Sequence, residues 1–211
     1  MDGRLNAYLS RELPFPDSGD ARIAIRVASE PREPLLDREV AFKVAAVLAS
    51  RGYSVVEREQ ATHELDVFCA VDRGTLVTER YTTRAPSDVI YSDAYTNRGR
   101  RVVVRQEVPR YEQRSYTYAV YRHQLSLPLL DAPRIPPARV VDPAALDAAV
   151  VWRCAAVGAM EDPDLRSAVD LLLVESMDYF GRDSAKQVKF SIGDGDDRVE
   201  ALRQQVGRRD D

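Results

Sequence analysis

The chain is 211 residues long, 45% hydrophobic and 30% charged, and its 30 Lys and Arg against 34 Asp and Glu give a formal net charge of −4. That balance belongs to a globular protein with room for a sizeable core; ten Gly and twelve Pro exclude a collagen-like or low-complexity chain, and the negative net charge supplies no global field for nucleic acid. Two Cys and two His exclude a disulfide framework and leave little for a Cys/His metal centre, and no stretch reaches the ~20 apolar residues of a membrane-spanning helix.

Residues 1–20 read as an extended leader or tether. Pro14 and Pro16 disfavour helix, and Asp17, Ser18, Gly19 and Asp20 form a turn cluster. No basic segment followed by an apolar one marks an export signal here. Two expectations follow: a cytoplasmic protein, or one whose signal has been replaced at Met1. Ile23, Ile25 and Val27 then alternate with polar or small residues, the period of a half-buried strand. Pro31 and Pro34 precede a helix over residues 35–51. Its Leu36, Val40, Val44, Val47 and Leu48 share a face, and Gly52 suits its C-terminal turn. Short strands are expected at 53–57 and 65–71, the latter from the alternation of Leu65, Val67, Cys69 and Val71, with a turn at Asp72-Arg73-Gly74.

The middle changes character. Residues 81–121 hold seven of the ten Tyr, and residues 98–122 hold seven Arg against two acids. This segment, about 81–122, reads as a long hairpin or insertion loop, partly flexible. A patterned strand returns at 115–130, followed by a connection punctuated by Pro133, Pro136, Pro137 and Pro143. Residues 148–159 read as a central strand, with apolar side chains on both faces. Asp162-Pro163 is expected to open a second long helix running to Phe180 and ended by Gly181. A final strand at 188–192, an acidic turn and a short helix in 193–211 complete the chain. The expected fold is a two-layer α+β sandwich over 21–192. Its four- to five-stranded, mostly antiparallel or mixed sheet carries two long helices on one face and the Tyr/Arg-rich hairpin as an insertion.

Four groups of residues invite chemistry. Gly193-Asp194-Gly195-Asp196-Asp197 offers clustered carboxylates to a hard cation, but without EF-hand spacing; as a helix-capping turn it needs no ion. Cys69 and Cys154 lie at apolar strand positions and read as buried thiols, or as a disulfide if their strands are neighbours. His63 and His123 have no local partner motif, and no nucleophile elbow or phosphate-binding glycine loop is present. No catalytic, cofactor-binding or metal-binding residue is therefore assigned. The Tyr/Arg-rich segment remains. Tyr and Arg are enriched at binding hot spots, so Tyr95, Arg101, Tyr111, Tyr116 and Arg122 are the candidate partner-binding residues.

Several of these motifs have a counterpart. Arg51-Gly52-Tyr53-Ser54-Val55-Val56 closes the first helix, and Ala61 with Leu65-Asp66-Val67 enters a strand. The hairpin ends in Tyr118-Ala119-Val120-Tyr121-Arg122-His123-Gln124-Leu125-Ser126-Leu127, and Val150-Val151-Trp152-Arg153-Cys154 precedes a helix with Leu171-Leu172-Leu173. The pattern resembles the small Gram-negative envelope lipoproteins grouped as domain of unknown function 4136. Here Cys154 stands where that family often has Gly, and no lipidation Cys lies near Met1. The resemblance implies a non-enzymatic, periplasmic domain tethered to the membrane through a removed signal. The expected partner, from the Tyr/Arg-rich hairpin, is a protein of the envelope, with peripheral or lipid-anchored membrane association possible and, on the negative net charge, no nucleic acid. A cytoplasmic adaptor or assembly subunit of the same fold is the alternative, and a small-ligand-binding or hydrolase domain is a third reading. The oligomeric state is not legible at this level.

Overall fold

A computed structural model describes residues 1–30, 32–72, 74–95, 97–135 and 143–207. The expected turn position Arg73, the prolines Pro31, Pro136 and Pro137, and the end of the tail lie outside them. The strands are β1 (Asp2–Leu9), β2 (Arg22–Glu30), β3 (Ser54–Val55), β4 (His63–Val71), β5 (Thr75–Tyr95), β6 (Arg101–Asp131), β7 (Val150–Met160) and β8 (Val188–Ser191). The helices are α1 (Pro34–Ser50), α2 (Pro143–Ala148), α3 (Leu165–Met177) and α4 (Asp197–Gly207). The chain divides into two compact units, one made of Met1–Gly74 with Val120–Asp211, the other of Thr75–Ala119.

The expected sheet of four to five strands is corrected. Eight strands form one mixed sheet in the order β3-β2-β4-β6-β7-β1-β8, with β5 paired to β6. Strands dominate, and helices are the minor component. In the larger unit β2 runs parallel to β3 and β4, which requires a crossover that α1 supplies; β4, β6, β7, β1 and β8 pair antiparallel. The leader expected at 1–20 is also corrected. Residues Asp2–Leu9 are a strand held between β7 and β8, with Leu5 opposite both Ala156 and Val188.

One sheet face of this unit carries the core. Leu5, Ala7, Ile23, Leu65, Cys69, Leu127, Trp152 and Cys154 are buried there beneath Leu36, Val40, Val44 and Leu48 of α1 and Leu172 and Leu173 of α3. Each such aliphatic side chain removed from water contributes roughly 1.5–3 kcal/mol before entropy is counted. The helix ends follow local chemistry. Gly52 takes φ 85° after α1, a left-handed position that suits glycine. Asp164, not Asp162, is the cap of α3: its carboxylate accepts from the Arg166 amide at 3.1 Å, while Asp162 accepts from the Asp164 amide at 2.9 Å. The helix ends at Met177, three residues short of the expected Phe180.

The smaller unit is an antiparallel ribbon. Its strand β5 has 21 residues, about 70 Å of chain at ~3.3 Å per residue. The hairpin expected at 81–122 thus begins earlier and is regular strand on both sides.

Candidate interaction surface

Ionisable groups in the larger unit are mostly engaged in holding it together. Lys43 on α1 is buried, its Nζ 2.6 Å from Asp170 on α3 and 2.7 Å from Glu39. Burial opposes its charge, but the hydrogen bonds to Asp170 and Glu39 outweigh burial and raise its pKa above the ordinary value. Arg203 on α4 donates to the other oxygen of Asp170 at 2.9 Å and to Asp194 at 2.9 Å, so the three helices are joined through one carboxylate. The acidic turn is likewise taken up by arginine. Arg198 reaches Asp196, Glu175 and Asp178, and its hydrogen bonds hold the Asp196 carboxyl below the usual range. Asp196 also accepts from the Arg198 amide at 2.9 Å, acting as the helix cap that the sequence suggested as the alternative to a cation site.

The thiols and imidazoles do not assemble into a reactive group. Burial pushes Cys69 up to about 12 and Cys154 up to about 11, which suppresses thiolate at neutral pH. Both are free thiols. Cys69 pairs across to Leu125 and Cys154 to Leu127, so strand β6 lies between them. Two inter-strand spacings, about 10 Å, exceed the reach of a disulfide. His123 is fully buried; its Nε2 lies 2.9 Å from the Asp162 carbonyl, which makes Nε2 the protonated nitrogen, and Nδ1 has no partner among the described residues. Burial lowers its pKa, and that of His63. Beside the α3 N-terminus a cavity of about 300 Å³ is lined by Leu36, Val71, Asp162 and Leu165 among others, and another of about 310 Å³ by Tyr8, Asp147 and Arg153. Ser10 also lines the second, where the Asp147 carboxylate accepts from Arg153.

The ribbon contrasts with this. Four of the five candidate residues, Tyr95, Arg101, Tyr111 and Tyr116, lie on it, while Arg122 falls in the larger unit, opposite Ala159 of β7. Tyr95 is 72% exposed and Tyr111 64%. They do not form one compact patch: Arg101 and Tyr116 are separated by about 50 Å of strand. Val89, Ile90, Tyr91, Val102, Val103 and Val104 add exposed apolar side chains near the turn. Polar pairs stitch the strands side to side. Arg101 donates to Asp93 at 2.6 Å, Tyr118 to Glu79 at 2.7 Å, and Arg110 stands 4.0 Å from Asp88; Tyr116 and Tyr118 stack at 5.4 Å. The acids Glu79, Asp88 and Asp93 were not singled out from sequence. Their signal was available: three carboxylates in the strand that faces an arginine-rich one.

No family model matches the chain, and no curated protein matches its sequence. Looser likenesses exist among solved structures. The PelC dodecamer from Paraburkholderia phytofirmans superposes with a TM-score of 0.44 at 11% identity, over 86% of this chain and 98% of that one. A single-residue variant of that dodecamer gives 0.37 at 12% identity, over 79% and 88%. A PDZ domain protein from Parabacteroides distasonis gives 0.37 at 13%, over 89% of this chain but 38% of that one. At such scores the likeness carries no argument about function.

Proposed function

We infer that this chain is a non-catalytic module of the cell envelope that works by binding, with the ribbon as its contact surface. The observation supporting this is the ribbon itself. Two strands with tyrosine, valine and arginine exposed along both lie where water alone stabilises them poorly, because an isolated two-stranded hairpin is marginal. Large exposed apolar area on a soluble chain marks a site of interaction. In the larger unit the carboxylates and buried thiols described above serve packing and pairing.

The reading is tested in cells that express the gene. Fractionation followed by lysine-independent cross-linking is expected to recover the protein in the membrane fraction, in adducts of higher mass. The variant Tyr95→Ala/Tyr111→Ala/Tyr116→Ala is expected to lose the adducts while its Trp152 fluorescence stays native. Adducts unchanged by the three substitutions overturn the ribbon as contact surface. Recovery in the cytoplasmic fraction overturns the envelope reading and leaves an adaptor of the cell interior.

A further inference from the structure

We propose that the partner of the ribbon is the ribbon of a second copy of this chain, the two joined edge to edge so that β5 of one copy pairs with β6 of the next. This rests on the reading of the ribbon as a contact surface and names its occupant. Among the described residues β5 pairs only with β6, and β6 gains its other neighbours, β4 and β7, from Tyr121 onward. Along Thr75–Tyr95 and Arg101–Ala119, each strand therefore has one free edge among the described residues. On an antiparallel edge alternate residues turn both peptide groups outward, which gives about ten such residues on the 21-residue β5. Long free edges are templates for pairing, and natural proteins cover them or blunt them.

Charge identifies what covers these. Strand β5 carries Glu79, Asp88 and Asp93 against Arg80 and Arg84; β6 over Arg101–Ala119 carries four arginines against Glu107 and Glu112. Within one copy the two strands already match, through Arg101 with Asp93, Arg110 with Asp88 and Tyr118 with Glu79. A second copy's β5 laid against the free edge of β6 brings the same carboxylates to the other side of the same guanidiniums. A guanidinium has five N–H donors in a planar fork, enough to serve both sides. In the register set by Asp93 with Arg101 and Thr78 with Thr117, the exposed Tyr91 of one copy then meets the exposed Val104 of the next, as aromatic and β-branched cross-strand pairs do in sheets. Because the two edges differ, the contact is heterologous and continues from copy to copy until a ring closes. Pro86 and Pro109 each remove one donor and break the edges into shorter runs, which limits uncontrolled growth.

The test uses the full chain. Sedimentation velocity from about 1 to about 100 µM, with hydrogen exchange read by mass spectrometry, is expected to show a discrete oligomer at high concentration, and amides of both ribbon strands exchanging about tenfold or more slowly in it than in the monomer. Arg101→Glu/Arg110→Glu/Arg114→Glu is expected to abolish the oligomer with Trp152 fluorescence unchanged. The swap Asp88→Arg with Arg110→Asp, which recreates the pair within and between copies, is expected to retain it. A 23.7 kDa monomer across the range, or an oligomer whose ribbon amides exchange as in the monomer, overturns the proposal. So does capture of the monomer by phosphatidylglycerol vesicles through the ribbon amides, which assigns the ribbon to a lipid surface. A monomer that still yields tyrosine-dependent adducts in cells removes the second copy while leaving the contact surface in place.

Discussion

Trp152 is the single tryptophan of the chain and is fully buried in β7. Its Nε1 donates at 3.0 Å to the Tyr179 carbonyl and at 3.2 Å to that of Arg182, where the chain leaves α3. Its ring meets the edge of Phe180 at 4.9 Å. Trp152→Phe keeps an aromatic ring but removes the donor, leaving the Arg182 carbonyl without it while the Tyr179 carbonyl keeps the Arg182 amide at 2.9 Å; that costs ~1–3 kcal/mol. The smaller ring leaves roughly 40 Å³ unfilled, worth ~1 kcal/mol at the usual cavity coefficient. The expected loss is therefore about 2–4 kcal/mol, a large share of the ~5–15 kcal/mol typical of a folded domain. Urea unfolding followed by far-ultraviolet circular dichroism measures it, since the variant has no tryptophan to report by fluorescence. A loss below ~1 kcal/mol, with the urea slope unchanged, would refute the assignment of Trp152 as the tie between the sheet and the exit of α3.

Other substitutions follow from the same contacts. Lys43→Ala removes the buried cation beside Asp170 and is expected to cost ~3 kcal/mol in urea unfolding, with Arg203 left to offset part of the stranded charge. Because the Lys43 pKa is raised, its contribution is full below 10.5 and fades only as pH rises past that value, so this loss should be equal at neutral and mildly alkaline pH. His63 and His123 have lowered values; the unfolded chain therefore takes up protons first, and stability is expected to fall as pH drops from 6.5 toward the folded-state values. The double variant His63→Gln/His123→Gln should lose that part of the pH slope, and an unchanged slope contradicts the burial argument. Cys69 and Cys154 are expected to resist an aromatic disulfide reagent at neutral pH until urea unfolds the chain; fast labelling of the native protein would show them exposed. Tyr95→Ala and Tyr111→Ala should each shift unfolding of the larger unit by less than ~0.5 kcal/mol, because neither side chain belongs to that unit.

Burial leaves its period in a sequence, and the elements that bury a face were the legible ones. Ile23, Leu65, Cys69 and Trp152 alternate on their strands, and Leu36, Val40, Val44 and Leu48 recur at helical spacing, so β2, β4, β7 and α1 could be read directly. The ribbon defeats that signal because both of its faces are exposed. Thr, Tyr, Arg and Ser there follow no core, and the regular strand between residues 83 and 114 was expected only as a hairpin with loop character. Strand count went wrong for this reason and for β1. In β1 only Leu5 and Ala7 are buried, and Arg4, Asn6 and Tyr8 between them made a short strand resemble a polar leader. For the contact surface, composition picked out Tyr95, Arg101, Tyr111 and Tyr116 but could not separate Arg122, which continues the same strand into the other unit. The acids Glu79, Asp88 and Asp93 stood together in the sequence, and the pairing of β5 with β6 sets Asp88 and Asp93 beside arginines.

The place of β1 sets an order on the birth of the fold. Leu5 must find Ala156 and Val188, partners that leave the ribosome some 150 and 180 residues later. Topologies built on such distant pairings fold slowly, since the closure of a long loop precedes any reward from contact. Until β7 and β8 arrive, both edges of β1 stand open on a nascent chain that already carries the exposed ribbon. Chaperone occupancy during synthesis should therefore concentrate in the interval between emergence of β6 and emergence of β8.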